Sequence, residues 1–215
     1  MDYAGLITNI GKWINRTNGE IDDVIAEQIV ESQYELEKRV PMWFLIDEYT
    51  HPISDGSTST LIPNHIIRIL DMEIEDSSGI RYPIMMVHPD RLRDLYPSNN
   101  ATLPDTGRPE MATILGHIVK FGPQADDDYT LHITAHHHLD PLTLTTNTSN
   151  TWTTTYLAAL RFQVLIDLEA YIGDDPRIAV WKERLKDILA DMKGEARDTD
   201  NVGMREAISE TEDLY

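Results

Sequence analysis

Cysteine is absent from all 215 residues. Without thiols there are no disulfides, no thiolate nucleophile and no Cys-ligated zinc; a reducing compartment is compatible with this. No apolar run reaches the roughly eighteen residues that a membrane-spanning helix needs. The opening MDYAGLITNI has neither a basic start nor a small-residue cleavage site, so no signal peptide is expected. Bases are scarce, 18 against 37 acids, for a net charge of −19. Holding nucleic acid through its phosphates takes clustered Lys and Arg, so that role is excluded. Solubility is the plain consequence of such acidity; a surface that must not adhere to a passing polyanion is the sharper one. The motifs GxSxG, GxGxxG, HExxH and the P-loop are also missing, so no catalytic or cofactor-binding site is expected.

What is present suits a folded chain: hydrophobic residues make up 41% and aromatics 7%. Trp152, Tyr156, Leu160, Val164 and Leu168 recur every four residues and predict one amphipathic helix. Ser149, Asn150 or Thr151 supplies its cap. Trp181, Leu185, Ile188 and Met192 predict a second. Between them Gly173 can take the left-handed conformation that closes a helix, Asp175 can cap the next one, and Pro176 suits its first turn. At the other end, Tyr3, Leu6, Ile7, Ile10, Trp13 and Ile14 predict a helix over 2–16 capped by Asp2. Ile25, Ile29, Ser32 and Leu36 predict another, opened by Asp22 or Asp23 and ended by Pro41, with Glu27, Glu31, Glu35 and Lys38 exposed. Neither pair completes its apolar stripes alone, and packing all four together closes both.

Residues 42–150 change texture, with frequent prolines and short apolar runs. A strand is expected over 42–49, a hairpin over 66–75 and 80–87, a short helix over 89–95 and a second hairpin over 113–121 and 129–137. Alternation in the first hairpin sets Leu70, Met72 and Ile74 on its buried face. The fold class is therefore α+β: an antiparallel helical bundle from the N- and C-terminal hairpins (1–41 and 151–193), an inserted small antiparallel β domain with linker (42–150), and an extended acidic tail (194–215). By composition the tail is disordered alone and is ordered by a partner chain, with Ala207, Ile208, Leu214 and Tyr215 as its candidate anchors.

The segment Leu131-His132-Ile133-Thr134-Ala135-His136-His137-His138 is the one group with ligand character. On a strand, His132, His136 and His138 share a face and would suit zinc in a metal-dependent hydrolase. No carboxylate is placed by the sequence to orient these rings, and a wet strand face explains them as well. Asp126, Asp127 and Asp128 lack calcium-loop spacing and read as a solvated turn. The balance is against an enzyme; a protein-interaction module remains the other alternative.

The order of these pieces resembles the head-to-tail adaptor, or connector, proteins of short-tailed bacteriophages. The resemblance rests on Tyr3-Ala4-Gly5-Leu6-Ile7 through Lys12-Trp13-Ile14-Asn15-Arg16, then Ile21-Asp22-Asp23-Val24-Ile25 through Leu36-Glu37-Lys38-Arg39. Leu61-Ile62-Pro63 stands before the β region. Gly116-His117-Ile118-Val119-Lys120-Phe121-Gly122-Pro123 and Asp128-Tyr129-Thr130-Leu131-His132-Ile133 form its later part. Leu142-Thr143, Asn147, Ser149-Asn150 and Trp152 precede the third helix, and Tyr171, Asp174-Asp175-Pro176-Arg177 and Trp181 lie in the closing hairpin. The resemblance implies a structural virion protein without cofactor or metal. It implies a ring of twelve copies beneath the portal protein that extends the channel and gives the tail nozzle, and tail fibres, a platform. DNA passes without specific binding, and the site is the head–tail neck after assembly in the host cytoplasm. Phe162, Leu165 and Val180 are then candidates for the contact between subunits, and the four tail anchors for the portal.

Overall fold

A computed structural model describes residues 1–16, 19, 21–97, 106–169, 173 and 176–212, with side chains as far as residue 197. The fold is α+β and divides into a helical unit, Met1–Leu45 with His138–Tyr215, and a β unit, Ile46–His137.

In the helical unit, α1 (Tyr3–Trp13) starts where Asp2 Oδ1 accepts the Gly5 N–H at 2.8 Å. Helix α2 (Asp22–Arg39) carries acids in its first turn and bases in its last, which complements the helix dipole. It buries Ile25, Ile29, Ser32 and Leu36, and also Gln33 and Glu37. The stripe expected from Trp152 to Leu168 is buried, with Tyr156 partly so, but on two helices: α4 (Thr151–Thr154) and α5 (Leu157–Asp167). The single long helix is thus corrected. Tyr156 leaves helical geometry at φ −106°, ψ 30°, and its hydroxyl donates to Glu195 at 2.6 Å. (Helix α3, Pro89–Leu95, belongs to the β unit.) Asn150 closes a full capping box on α4. Gly173 has φ 81°, the left-handed closure expected of it; Asp174 and Asp175 lie outside the described residues.

The last helix, α6 (Arg177–Glu212), does not stop near Lys193. Its stripe of Trp181, Leu185 and Met192 continues to Ala196, only 7% exposed, so the backbone that was expected to leave as a loose tail begins as helix packed on the core. Helix α5 packs on α2 and α6, and α1 on α2 and α5. One apolar cluster fills the space between them, with Trp152, Leu160 and Leu36 fully buried.

The β unit holds two four-stranded sheets. The first, in the order β1-β8-β3-β4, is antiparallel: β1 (Ile46–Ile53), β8 (Tyr129–His137), β3 (Ile66–Glu75) and β4 (Arg81–Pro83). The second runs β2 (Ser59–Leu61), β7 (Ile118–Gly122), β6 (Met111–Leu115) and β5 (Met85–Met86), the last pair parallel. Helix α3 (Pro89–Leu95) falls where proline placement predicts it. The strand expected over 42–49 instead starts at Ile46, after a 3₁₀ turn at Trp43–Leu45.

Two further expectations are corrected. The run 113–121 is not one arm of a hairpin but a hairpin itself, β6 to β7. Leu115 pairs with Ile118 across Gly116-His117, and Gly116 takes the φ of 64° that such a turn requires. Strand β8 then pairs in the other sheet, between β1 and β3. In β3 the register slips between Ile69 and Asp71, an irregularity that inserts Leu70. Leu70 is therefore 43% exposed, while Ile69 packs against the core that Met72 and Ile74 enter.

Candidate interaction surfaces

The histidine segment is divided by the fold. Leu131, Ile133 and Ala135 enter the core of the β unit, so alternation sends His132 and His136 to the opposite face. His138 lies beyond the strand, in the helical unit. Both nitrogens of His132 meet carboxylates: Nδ1 is 3.0 Å from Glu48 Oε1, and Nε2 is 2.9 Å from Glu75 Oε2. Arg81 completes this cluster across all four strands, 2.9 Å from Glu48, 3.2 Å from Glu75 and 3.6 Å from Glu73. Hydrogen bonds from Arg81, then from His132, hold the Glu48 carboxyl below its usual range. His132 and His136 are 6% and 7% exposed, so a wet face describes neither, and for His132 carboxylates do orient the ring. No group of three or more acidic or histidine ligands forms a metal-sized cluster among the described residues.

In the helical unit, sequence reasoning missed a buried carboxylate. Glu37 Oε1 accepts from Gln33 Nε2 and Trp152 Nε1, each at 3.0 Å, and Oε2 lies 2.7 Å from His138 Nδ1. Gln33 Oε1 in turn accepts from Asn150 Nδ2 at 3.0 Å, which ties the α4 capping box into the network. An indole N–H and an amide N–H can only donate, so Glu37 is the acceptor, and the remaining donor is His138 Nδ1–H. Burial, with Lys38 nearby, lowers the His138 pKa and favours that neutral ring. The sequence signal is faint: Gln33 and Glu37, one turn apart, flank the apolar stripe of α2.

The proposed contact residues fall in three different settings. Leu165 is fully buried in the chain's own core. Phe162 is partly buried and stands edge-on to Trp13 at 5.9 Å. Val180 is 59% exposed. Ala207 and Ile208 lie on the α6 backbone, beyond the described side chains; Leu214 and Tyr215 lie outside the described residues.

Two surfaces emerge that the linear pattern did not reveal. At one end of the second sheet, Leu61, Ile118 and Leu115 are adjacent on three strands and 64%, 38% and 43% exposed. On the helical unit, α2, α5 and α6 enclose a groove of about 550 Å³. Ile166, Leu185, Leu189 and Ala190 contribute its apolar surface, and Lys182, Lys186 and Lys193 its basic one, with Arg39 at the α2 end and Gln163 and Asp167 as the polar groups of α5. Such a concentration of bases stands out in a chain of net charge −19.

No curated protein matches the chain. The model of the SU10 adaptor protein family matches residues 1–207. That match takes in both units and most of α6, so the chain belongs to the SU10 adaptor protein family and, with it, to the structural adaptor proteins of bacteriophages.

Proposed function

We propose that the chain forms a ring of twelve copies beneath the portal protein, extends the DNA channel and presents a platform to the tail nozzle and fibres. The family match across residues 1–207 carries this reading. The charge of −19 supports it, because a channel wall must let DNA slide past rather than hold its phosphates. Exposed Val180 and half-buried Phe162, both in the helical unit, offer apolar area to a neighbouring subunit. The aliphatic end of the second sheet offers a similar patch to a tail protein. The end of α6 and the residues after it, with Ala207, Ile208, Leu214 and Tyr215 as anchors, reach the portal. The protein joins portal-containing heads in the host cytoplasm and remains in the neck of the virion.

Negative-stain imaging of the protein mixed with purified cognate portal tests the reading. A ring stacked on one face of the portal is the expected result. Portals that stay bare at micromolar adaptor concentrations would remove the ring assignment.

A further inference from the structure

The chemistry of the groove between α2, α5 and α6 specifies what it can receive. Its apolar floor asks for a side-chain ridge, and its four bases, Arg39, Lys182, Lys186 and Lys193, outnumber its one acid, Asp167, which already accepts from Ser32 and Gln163, so they ask for acids beside that ridge. Lys193 has no ion pair among the described residues, and Lys186 has only an exposed contact to Glu183 at 3.6 Å. Arg39 and Lys182 do meet Glu35 and Glu169, at 2.9 and 3.2 Å.

The matching surface is on the chain itself. Asp23, Glu27 and Glu31 are exposed at successive four-residue steps of α2, so they form one acidic stripe. Val24, Val30 and Tyr34 flank it and are half-buried. Among the described residues these three acids have no basic partner, Glu31 meeting only Gln28 at 3.3 Å. At 3.6 residues per turn, Glu31, Glu27 and Asp23 point about 80°, 120° and 160° away round α2 from Arg39, so the stripe turns progressively away from the groove of its own subunit.

We infer that the α6 groove of one copy receives the acidic face of α2 from the next copy. The inference rests on the ring reading and gives it a specific interface. Two different, complementary patches on one chain make a head-to-tail contact, which closes into a ring when the rotation between copies allows. Rim charges of opposite sign align the two faces and reject the like-charged pairings.

The absence of native cysteine makes the test direct. Lys186→Cys is combined in turn with Asp23→Cys, Glu27→Cys and Glu31→Cys, and each protein is assembled on portal and treated with a short thiol–thiol cross-linker. The expected result is a ladder of linked copies for at least one pair, with none for the single-cysteine proteins. Rings that assemble normally while every pair gives no ladder would overturn this interface and leave the ring reading standing. Wild-type protein that forms no ring would remove both. In parallel, the charge reversal K186E/K193E is expected to abolish assembly at moderate salt, and adding E27K/E31K to the same chain to restore it. Unimpaired assembly of the reversed groove, or no recovery in the fourfold variant with its fold intact by circular dichroism, would also overturn the pairing.

Discussion

Glu37 shows how one side chain can anchor a junction. Its side chain is fully buried, and three N–H donors from three separate parts of the helical unit converge on it. Removing it leaves those donors unsatisfied in a dry setting, where each unmade bond costs on the order of 1–3 kcal/mol. Glu37→Ala is therefore expected to lose about 3 kcal/mol in urea unfolding, and the near-isosteric Glu37→Gln a substantial part of it, because an amide turns one acceptor into a donor. An unchanged urea midpoint for Glu37→Gln would mean that volume, not hydrogen bonding, is what the site requires. His138 makes the same junction sensitive to acid. Its folded pKa lies below the ordinary 6.5, through burial first and Lys38 second, so below about that pH the unfolded chain takes up its proton first. The His138 contribution is complete above 6.5, declines as pH falls through the folded pKa, and is flat below it. Stability measured from pH 7.5 to 4.5 should thus fall more steeply for the wild type than for His138→Gln, whose amide still donates to Glu37.

At the scale of elements, glycines separate packing from propensity. Gly122 ends β7 directly under the Tyr96 ring, where an added methyl would collide with it. Gly122→Ala is expected to destabilise the chain by about 2 kcal/mol, the usual penalty for overpacking. Gly194 lies inside α6 with open space around the position of a Cβ, so Gly194→Ala should instead stabilise by up to about 1 kcal/mol. Calorimetry on the two variants checks both signs; a stabilised Gly122→Ala would show that Tyr96 moves aside freely. The same elements mark what the sequence could reveal. Helix α3 and the cap of α4 depend on residues adjacent in the chain: the first was readable there, and the second was narrowed to Ser149, Asn150 or Thr151, of which Asn150 is the cap. The β6–β7 turn was signalled by Gly116-His117, but the apolar pairs on either side, Ile114-Leu115 and Ile118-Val119, let 113–121 pass for one strand. The slip that expels Leu70 is set by pairing with β8, some sixty residues away, and alternation within β3 carries no trace of it. Glu37 was unreadable for a similar reason: its partners His138 and Trp152 lie 101 and 115 residues off.

At the scale of the whole molecule, the portal contact has to be separated from the fold that presents it. The composition of 194–215 suggests a cut after Lys193, but α6 crosses that point without a break. Such a cut removes Ala196, which is buried, and Glu195, whose carboxylate accepts from Tyr156 and, after burial, helps push that phenol up to about 12. A loss of docking would then be confounded with a loosened helical unit. A cut after Arg197 keeps both contacts and removes only residues 198–215, including all four proposed anchors. That variant is expected to keep the melting temperature of the full chain to within a few degrees, to lose from its circular dichroism only the helix contributed by residues 198–212, and to lose stable addition to portal-containing heads in a sedimentation assay. Docking at full-length affinity by the variant ending at Arg197 would assign portal recognition to the two folded units instead. The K186E/K193E protein, intact at its C-terminus, is expected to behave in the opposite way. Its anchors should still bring single copies to the portal, at reduced occupancy, while imaging shows no closed ring.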